Sequence, residues 1–127
     1  MKIEHIALWV EDLEKMRSFY MTYFGLSSNE LYHNASKGFK SYFLSFTDSS
    51  ARIELMTIDN IKTFKRGESF GFAHFAISVG SKEAVDDYAS RLEKDGFTIS
   101  SRPRTTGDGY YECAVIDPEG NKIEITA

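Results

Sequence analysis

The sequence predicts an α+β fold of two tandem β-α-β-β-β modules whose curled sheets enclose a cleft. Three observations predict it. The segment His5-Ile6-Ala7-Leu8-Trp9-Val10 recurs as His74-Phe75-Ala76-Ile77-Ser78-Val79. Arg52-Ile53-Glu54-Leu55 recurs as Lys122-Ile123-Glu124-Ile125, and Gly25-Leu26 is matched by Gly96-Phe97. Three landmarks in one order, at nearly constant spacing, mark an internal repeat. Module one spans residues 1–57, a linker 58–69 and module two 70–127 of a 127-residue chain. That length fits a single domain. A module of under about sixty residues buries too little apolar surface to stand alone, so the modules pair within the chain or between chains.

Each element follows from local pattern. Alternating apolar residues open the modules as strands over 2–10 and 72–79. Asp12 suits the N-cap of a first helix with an apolar stripe of Met16, Phe19, Tyr20 and Tyr23, and Gly25 suits its left-handed C-terminal residue. Ser81 or Lys82 starts the second helix, Val85, Tyr88, Ala89 and Leu92 form its stripe, and Gly96 stops it. Weaker strands are expected near 29–33 and 97–101. Two hairpins close the modules, at 40–47 with 51–57 and at 110–116 with 121–126. The second turns at Asp117-Pro118-Glu119-Gly120, where Pro pre-sets the turn and Gly closes it.

Composition narrows the function classes. Fifteen basic against nineteen acidic residues give a net charge of −4, with no basic run. That balance argues against a nucleic-acid partner and against an electrostatic membrane anchor. No apolar run approaches the roughly 20 residues of a membrane span, and the start MKIEH lacks the apolar stretch of a signal peptide. The single cysteine, Cys113, cannot form an intrachain disulfide, which favours the reducing cytoplasm. In a strand and with no neighbouring His, it reads as buried filler. Phe64, Phe70 and Phe72 flank the linker as dimer contacts or core cover.

Strand parity places the candidate chemistry. Ile6, Leu8 and Val10 form a wholly apolar face to pack under the helix, so His5, Ala7 and Trp9 point into the cleft. Ile53 and Leu55 are core, so Arg52, Glu54 and Met56 face the cleft. The second module repeats this: His74, Lys122 and Glu124 share the cleft face. A lone strand His or Glu is ordinarily a solvated surface residue. Two His and two Glu at equivalent positions instead suit one divalent metal, such as Zn, Ni, Co, Mn or Fe. Six-coordinate geometry would leave two positions for water or substrate.

These residues carry a resemblance. HIALWVEDLEKMRSFYMTYFGL, RIELM, GFAHFAISV and DPEGNKIEI together resemble the vicinal oxygen chelate superfamily, the glyoxalase, bleomycin resistance and dioxygenase family. The likeness covers essentially the whole chain. The His5, Glu54, His74, Glu124 set is most similar to that of small bacterial glyoxalase I-like proteins. Two positions depart from that pattern: Trp9 stands where those proteins carry a glutathione-holding Arg, and Thr57-Ile58 where they carry a glutathione-contacting Asn.

The resemblance implies a lactoylglutathione lyase-like lyase or isomerase. Such an enzyme chelates vicinal oxygens of a small substrate, a thiol adduct among the candidates, and abstracts an α-proton through an enediolate. Glu124 is the first candidate base and Glu54 the second. Trp9, Met56 and Tyr110 or Tyr111 are expected in an apolar substrate wall, and Arg52 and Lys122 to meet the Glu carboxylates or an anionic substrate. Arg102 and Arg104 are expected on a Gly-containing loop that covers the cleft. Other superfamily chemistries (an epimerase, a thiol transferase, a dioxygenase) and a non-catalytic small-molecule binder are the competing readings. A homodimer is expected.

Overall fold

The computed structural model describes residues 2–61 and 71–127; Phe64 and Phe70 lie outside the described residues. The chain divides into two compact units, Met1–Phe64 and Lys65–Ala127. The fold is α+β, with one helix and one curled sheet in each unit.

In the first unit, strand β1 (His5–Trp9) runs parallel to β5 (Arg52–Ile58), with Ile6 level with Ile53 and Leu8 level with Leu55. Strand β5 pairs antiparallel with β4 (Phe39–Ser45). On its other edge β4 holds two short strands, β2 (Ser27–Ser28) and β3 (Tyr32–Asn34). The weak strand expected near 29–33 is therefore two short pieces, followed by a single 3-10 turn at Ala35–Lys37.

Helix α1 (Leu13–Phe24) lies against this sheet. The Asp12 side chain accepts from the Lys15 N–H at 2.9 Å, satisfying one of the free donors of the first turn. Gly25 ends the helix at φ 66°, a conformation that a side chain disfavours. Leu13, Met16, Phe19 and Tyr20 are the buried stripe. Tyr42, on the helix face of β4, donates its hydroxyl to Glu14 Oε1 at 2.6 Å, and the Arg17 guanidinium lies 4.6 Å over its ring. The acceptor carboxylate pushes the Tyr42 phenol above its ordinary value, and burial adds to the shift.

The second unit repeats the plan with fewer strands. Strand β6 (Phe75–Ser78) runs parallel to β9 (Lys122–Thr126), which pairs antiparallel with β8 (Tyr111–Ile116). Strand β7 (Ile99–Thr105) closes the edge. Helix α2 (Lys82–Lys94) starts at Ser81, whose hydroxyl accepts from the Ala84 N–H at 3.1 Å, and buries Val85, Ala89 and Leu92. Tyr111 donates to Asp86 of α2 at 2.8 Å, with Lys82 over its ring, so the tie between sheet tyrosine and helix carboxylate occurs in both units.

The opening strands are shorter than expected, and β6 begins one residue after His74. The core positions that alternation assigned to β5 and β9 are buried. Ile53, Leu55, Ile123 and Ile125 are at most 1% exposed, while their sequence neighbours reach the opposite face. No helix among the described residues is long and apolar enough to cross a membrane.

Candidate metal centre

The same local geometry sets up the His and Glu of each unit. In parallel pairing, partnered residues project from the same face of the sheet. His5 stands level with Arg52, Ala7 with Glu54 and Trp9 with Met56, so these six share the face away from α1. Glu54 lies one rung beyond His5, across the small Ala7. His5 Nε2 and Glu54 Oε2 are 3.7 Å apart. In the second unit Ala76 is level with Glu124, and His74 Nε2 lies 3.0 Å from Glu124 Oε2. Both Glu side chains are mostly shielded, at 14% and 20% exposed, beside half-open imidazoles.

These spacings can be tested against a shared cation. Two donor atoms about 2.1 Å from one ion and at right angles to it lie about 3.0 Å apart. The His74–Glu124 pair has that spacing. The His5–Glu54 pair is wider and fits an angle near about 120° at the same bond length. The donor set, neutral imidazole with carboxylate, suits a borderline divalent ion. Among the described residues no group of three or more His, Cys, Asp or Glu that could hold a metal comes together; each unit brings one His beside one Glu.

The surroundings of His5 include a residue that parity did not select. Glu4 precedes β1, where the pleat no longer governs direction. Its carboxylate pairs with His5 Nδ1 and accepts from Arg52 Nε at 2.9 Å. Arg52 also lies 4.0 Å over the Phe43 ring, and Phe43 meets His5 edge-on at 5.4 Å. The hydrogen bond to His5, and then the Arg52 guanidinium, hold the Glu4 carboxyl below the usual carboxylate range. Arg52 is thus tied to Glu4 rather than to Glu54.

The model of the glyoxalase/bleomycin resistance protein/dioxygenase superfamily matches residues 2–125. The chain belongs to this superfamily. Its members typically use a divalent metal. The chain is 30% identical over 126 residues to a lactoylglutathione lyase of Haemophilus influenzae, covering 98% of this chain and 90% of that one. It is 24% identical over 123 residues to the glutathione transferase FosA of Serratia marcescens, covering 97% and 78%. Glyoxalase I from Zea mays superposes with a TM-score of 0.80 at 23% identity, over 98% of this chain. The chain spans 44% of that maize protein's length, and the likeness shows the shared fold.

Within this superfamily frame the other expected site residues separate. Trp9 is 45% exposed and meets Phe39 edge-on at 6.2 Å; Phe39 in turn meets Tyr32 at 6.0 Å. Met56 is level with Trp9 on one side and Ser41 on the other. An aromatic patch therefore adjoins the His5–Glu54 half-site, and Phe39 and Tyr32 are members that the β1 and β5 pattern alone did not reveal. Lys122 is exposed, on the same face as Glu124.

Arg102 and Arg104 require a correction: they lie on β7, not on a loop. The chain turns between Thr106 and Tyr110, where the Thr106 N–H donates to the Tyr110 carbonyl at 2.8 Å. Register shifts in β7 put Ser101 opposite Ala114 and Arg104 opposite Glu112, so two β7 residues oppose Cys113 alone. Such a bulge reverses side-chain parity. Arg102 consequently turns to the helix side and pairs with Glu93 of α2 at 2.6 Å. Arg104 shares the Glu124 face, where it lies 3.8 Å from Glu112. Tyr110 is 61% exposed just before β8, and Tyr111 is tied to α2. Cys113 is fully buried, and burial pushes its thiol up to about 11.

Proposed function

We propose that His5, Glu54, His74 and Glu124 hold one divalent metal for a glyoxalase-type lyase or isomerase acting on a small molecule with neighbouring oxygens. The observation that carries this reading is the repetition of one His–Glu half-site, on equivalent rungs, in both units. Four ligands come either from the two halves of one chain or from two chains of a homodimer. The relatives named lactoylglutathione lyase support a thiol adduct as the first substrate to test. The enzyme works in the reducing cytoplasm, in keeping with its single buried thiol.

An ion held by these four residues would supply Lewis acidity. The protein's residues do the rest. His5 and His74 would hold the ion through Nε2. The Glu124 carboxylate takes the α-proton and returns it to the adjacent carbon, which isomerises the substrate without an outside oxidant. Glu54 is the second candidate for that step. Trp9 and Met56 shield the reacting carbon from water. Lys122 and Arg104 offer cationic contacts on the Glu124 face.

The test is metal analysis of the purified protein, with add-back of Zn, Ni, Co, Mn and Fe(II), and turnover of the hemithioacetal of methylglyoxal and glutathione. His5→Ala is expected to lose bound metal. Glu124→Gln, which alters a ligand and the base together, is expected to lose bound metal and to lower kcat by at least about 10²-fold. A protein that holds no divalent ion after add-back would refute the reading.

A further inference from the structure

The two half-sites differ in one respect that the repeat conceals. In the first, Glu4 immediately precedes His5 and pairs with its Nδ1. Ala73 holds the matching place before His74 and has no group to offer. Among the described residues no side chain pairs with His74 Nδ1. Glu4 is itself held from both directions. Its carboxylate accepts from Arg52 Nε at 2.9 Å, and its backbone carbonyl accepts from the Arg52 N–H at 3.0 Å. Arg52 is kept in place by the Phe43 ring, and that ring also meets the edge of His5. Glu4, His5, Arg52 and Phe43 thus form a closed ring of contacts around one imidazole.

We infer that Glu4 is a positioning residue that holds His5 as its Nδ1–H tautomer, with the Nε2 lone pair turned toward Glu54, a role that Ala73 cannot play for His74. A carboxylate on one ring nitrogen fixes both the tautomer and the ring orientation, and makes the other nitrogen a better donor. The His5 half is therefore the preset half. As a statement about metal affinity, the inference rests on the metal reading above; as a statement about His5, it stands on its own contacts.

Long-range proton–nitrogen NMR spectra of the metal-free protein test it, comparing the wild type with Glu4→Gln and Glu4→Ala. The expected result is a single His5 tautomer protonated at Nδ1 in the wild type, and a mixture in Glu4→Ala. Glu4→Gln keeps a carbonyl acceptor, so it retains the tautomer. The second arm titrates the same proteins with Co²⁺ and follows its visible absorption. Glu4→Ala is expected to bind Co²⁺ about 10- to 100-fold more weakly, with Glu4→Gln between it and the wild type. The thermal midpoints of the metal-free proteins should coincide, because a merely structural role would move them together with affinity. An unchanged His5 tautomer in Glu4→Ala overturns the inference, whatever the metal result. A fixed tautomer lost in Glu4→Ala, in a protein that takes up no Co²⁺, upholds the positioning of His5 and removes the metal reading instead.

Discussion

Replacing Tyr42 with Phe removes one hydroxyl and leaves the ring in place. Tyr42 is 7% exposed, and its hydroxyl donates to Glu14 Oε1 at 2.6 Å. A hydrogen bond to a charged acceptor is worth about 1.5–3 kcal/mol. Glu14 is 64% exposed, so water recovers much of that when the donor is lost. The discounted cost is about 1 kcal/mol. For a chain of this length, that is a fall of roughly 3–5 °C in Tm. The same contact gives a pH signature. The phenol is raised above its ordinary value in the folded state. Its contribution is therefore fully present below the unfolded phenol value and is lost as pH rises through the folded one. Urea unfolding of wild type, Tyr42→Phe, Glu14→Gln and the double variant at neutral pH isolates the coupling. A coupling energy of zero, or a Tyr42→Phe protein as stable as the wild type, would refute the assignment.

Three further predictions follow from burial and backbone shape. Ile125→Ala removes a fully buried side chain beside Glu124 and should cost about 3 kcal/mol in urea unfolding, whereas Ile3→Ala, at a site 72% exposed, should be nearly neutral. Gly38→Ala should cost about 1–2 kcal/mol, because Gly38 sits at φ 60° and a Cβ there would stand 2.0 Å from Asp59 Oδ2. Asp59→Ala should recover the part of that loss due to the clash. Cys113 should resist a thiol reagent at pH 8 until the chain unfolds. Its thiol is raised from 9.0 to about 11, chiefly by burial. The neutral form is thus favoured on folding, and the stability it contributes should be lost between those two values, a decline absent from Cys113→Ala.

The residues of β1 and β5 that face away from α1 were legible because period-two alternation is strong there and its counterpart recurs in the second unit. The buried pairs Ile53–Leu55 and Ile123–Ile125 leave Glu54 and Glu124 no other face. The ends of β7 were not legible. Pro103 and the Gly107-Asp108-Gly109 run read as loop, yet β7 is an edge strand, where a residue without an N–H is tolerated. The bulge that sends Arg102 and Arg104 to opposite faces is a property of pairing, invisible in one strand's pattern. Strands β2 and β3 are two and three residues long, too short for alternation to register. Glu4 was missed because parity assigns it away from His5, and only the end of the strand frees it to fold back.

Each candidate carboxylate is anchored between two of the most secluded aliphatics in its unit, on a strand with hydrogen-bonded neighbours on both sides. The backbone amides of Ile53, Glu54, Ile123 and Glu124 should therefore rank among the slowest to exchange with deuterium. Local unfolding is thereby closed to these positions as a source of motion. In the proposed reaction, travel of Glu54 or Glu124 between holding an ion and accepting a proton would then be rotation about the side chain's own bonds. That confines the reacting oxygen to the few rotamers a glutamate owns. It also makes shortening the side chain, as in Glu124→Asp, a more informative perturbation than loosening the strand beneath it.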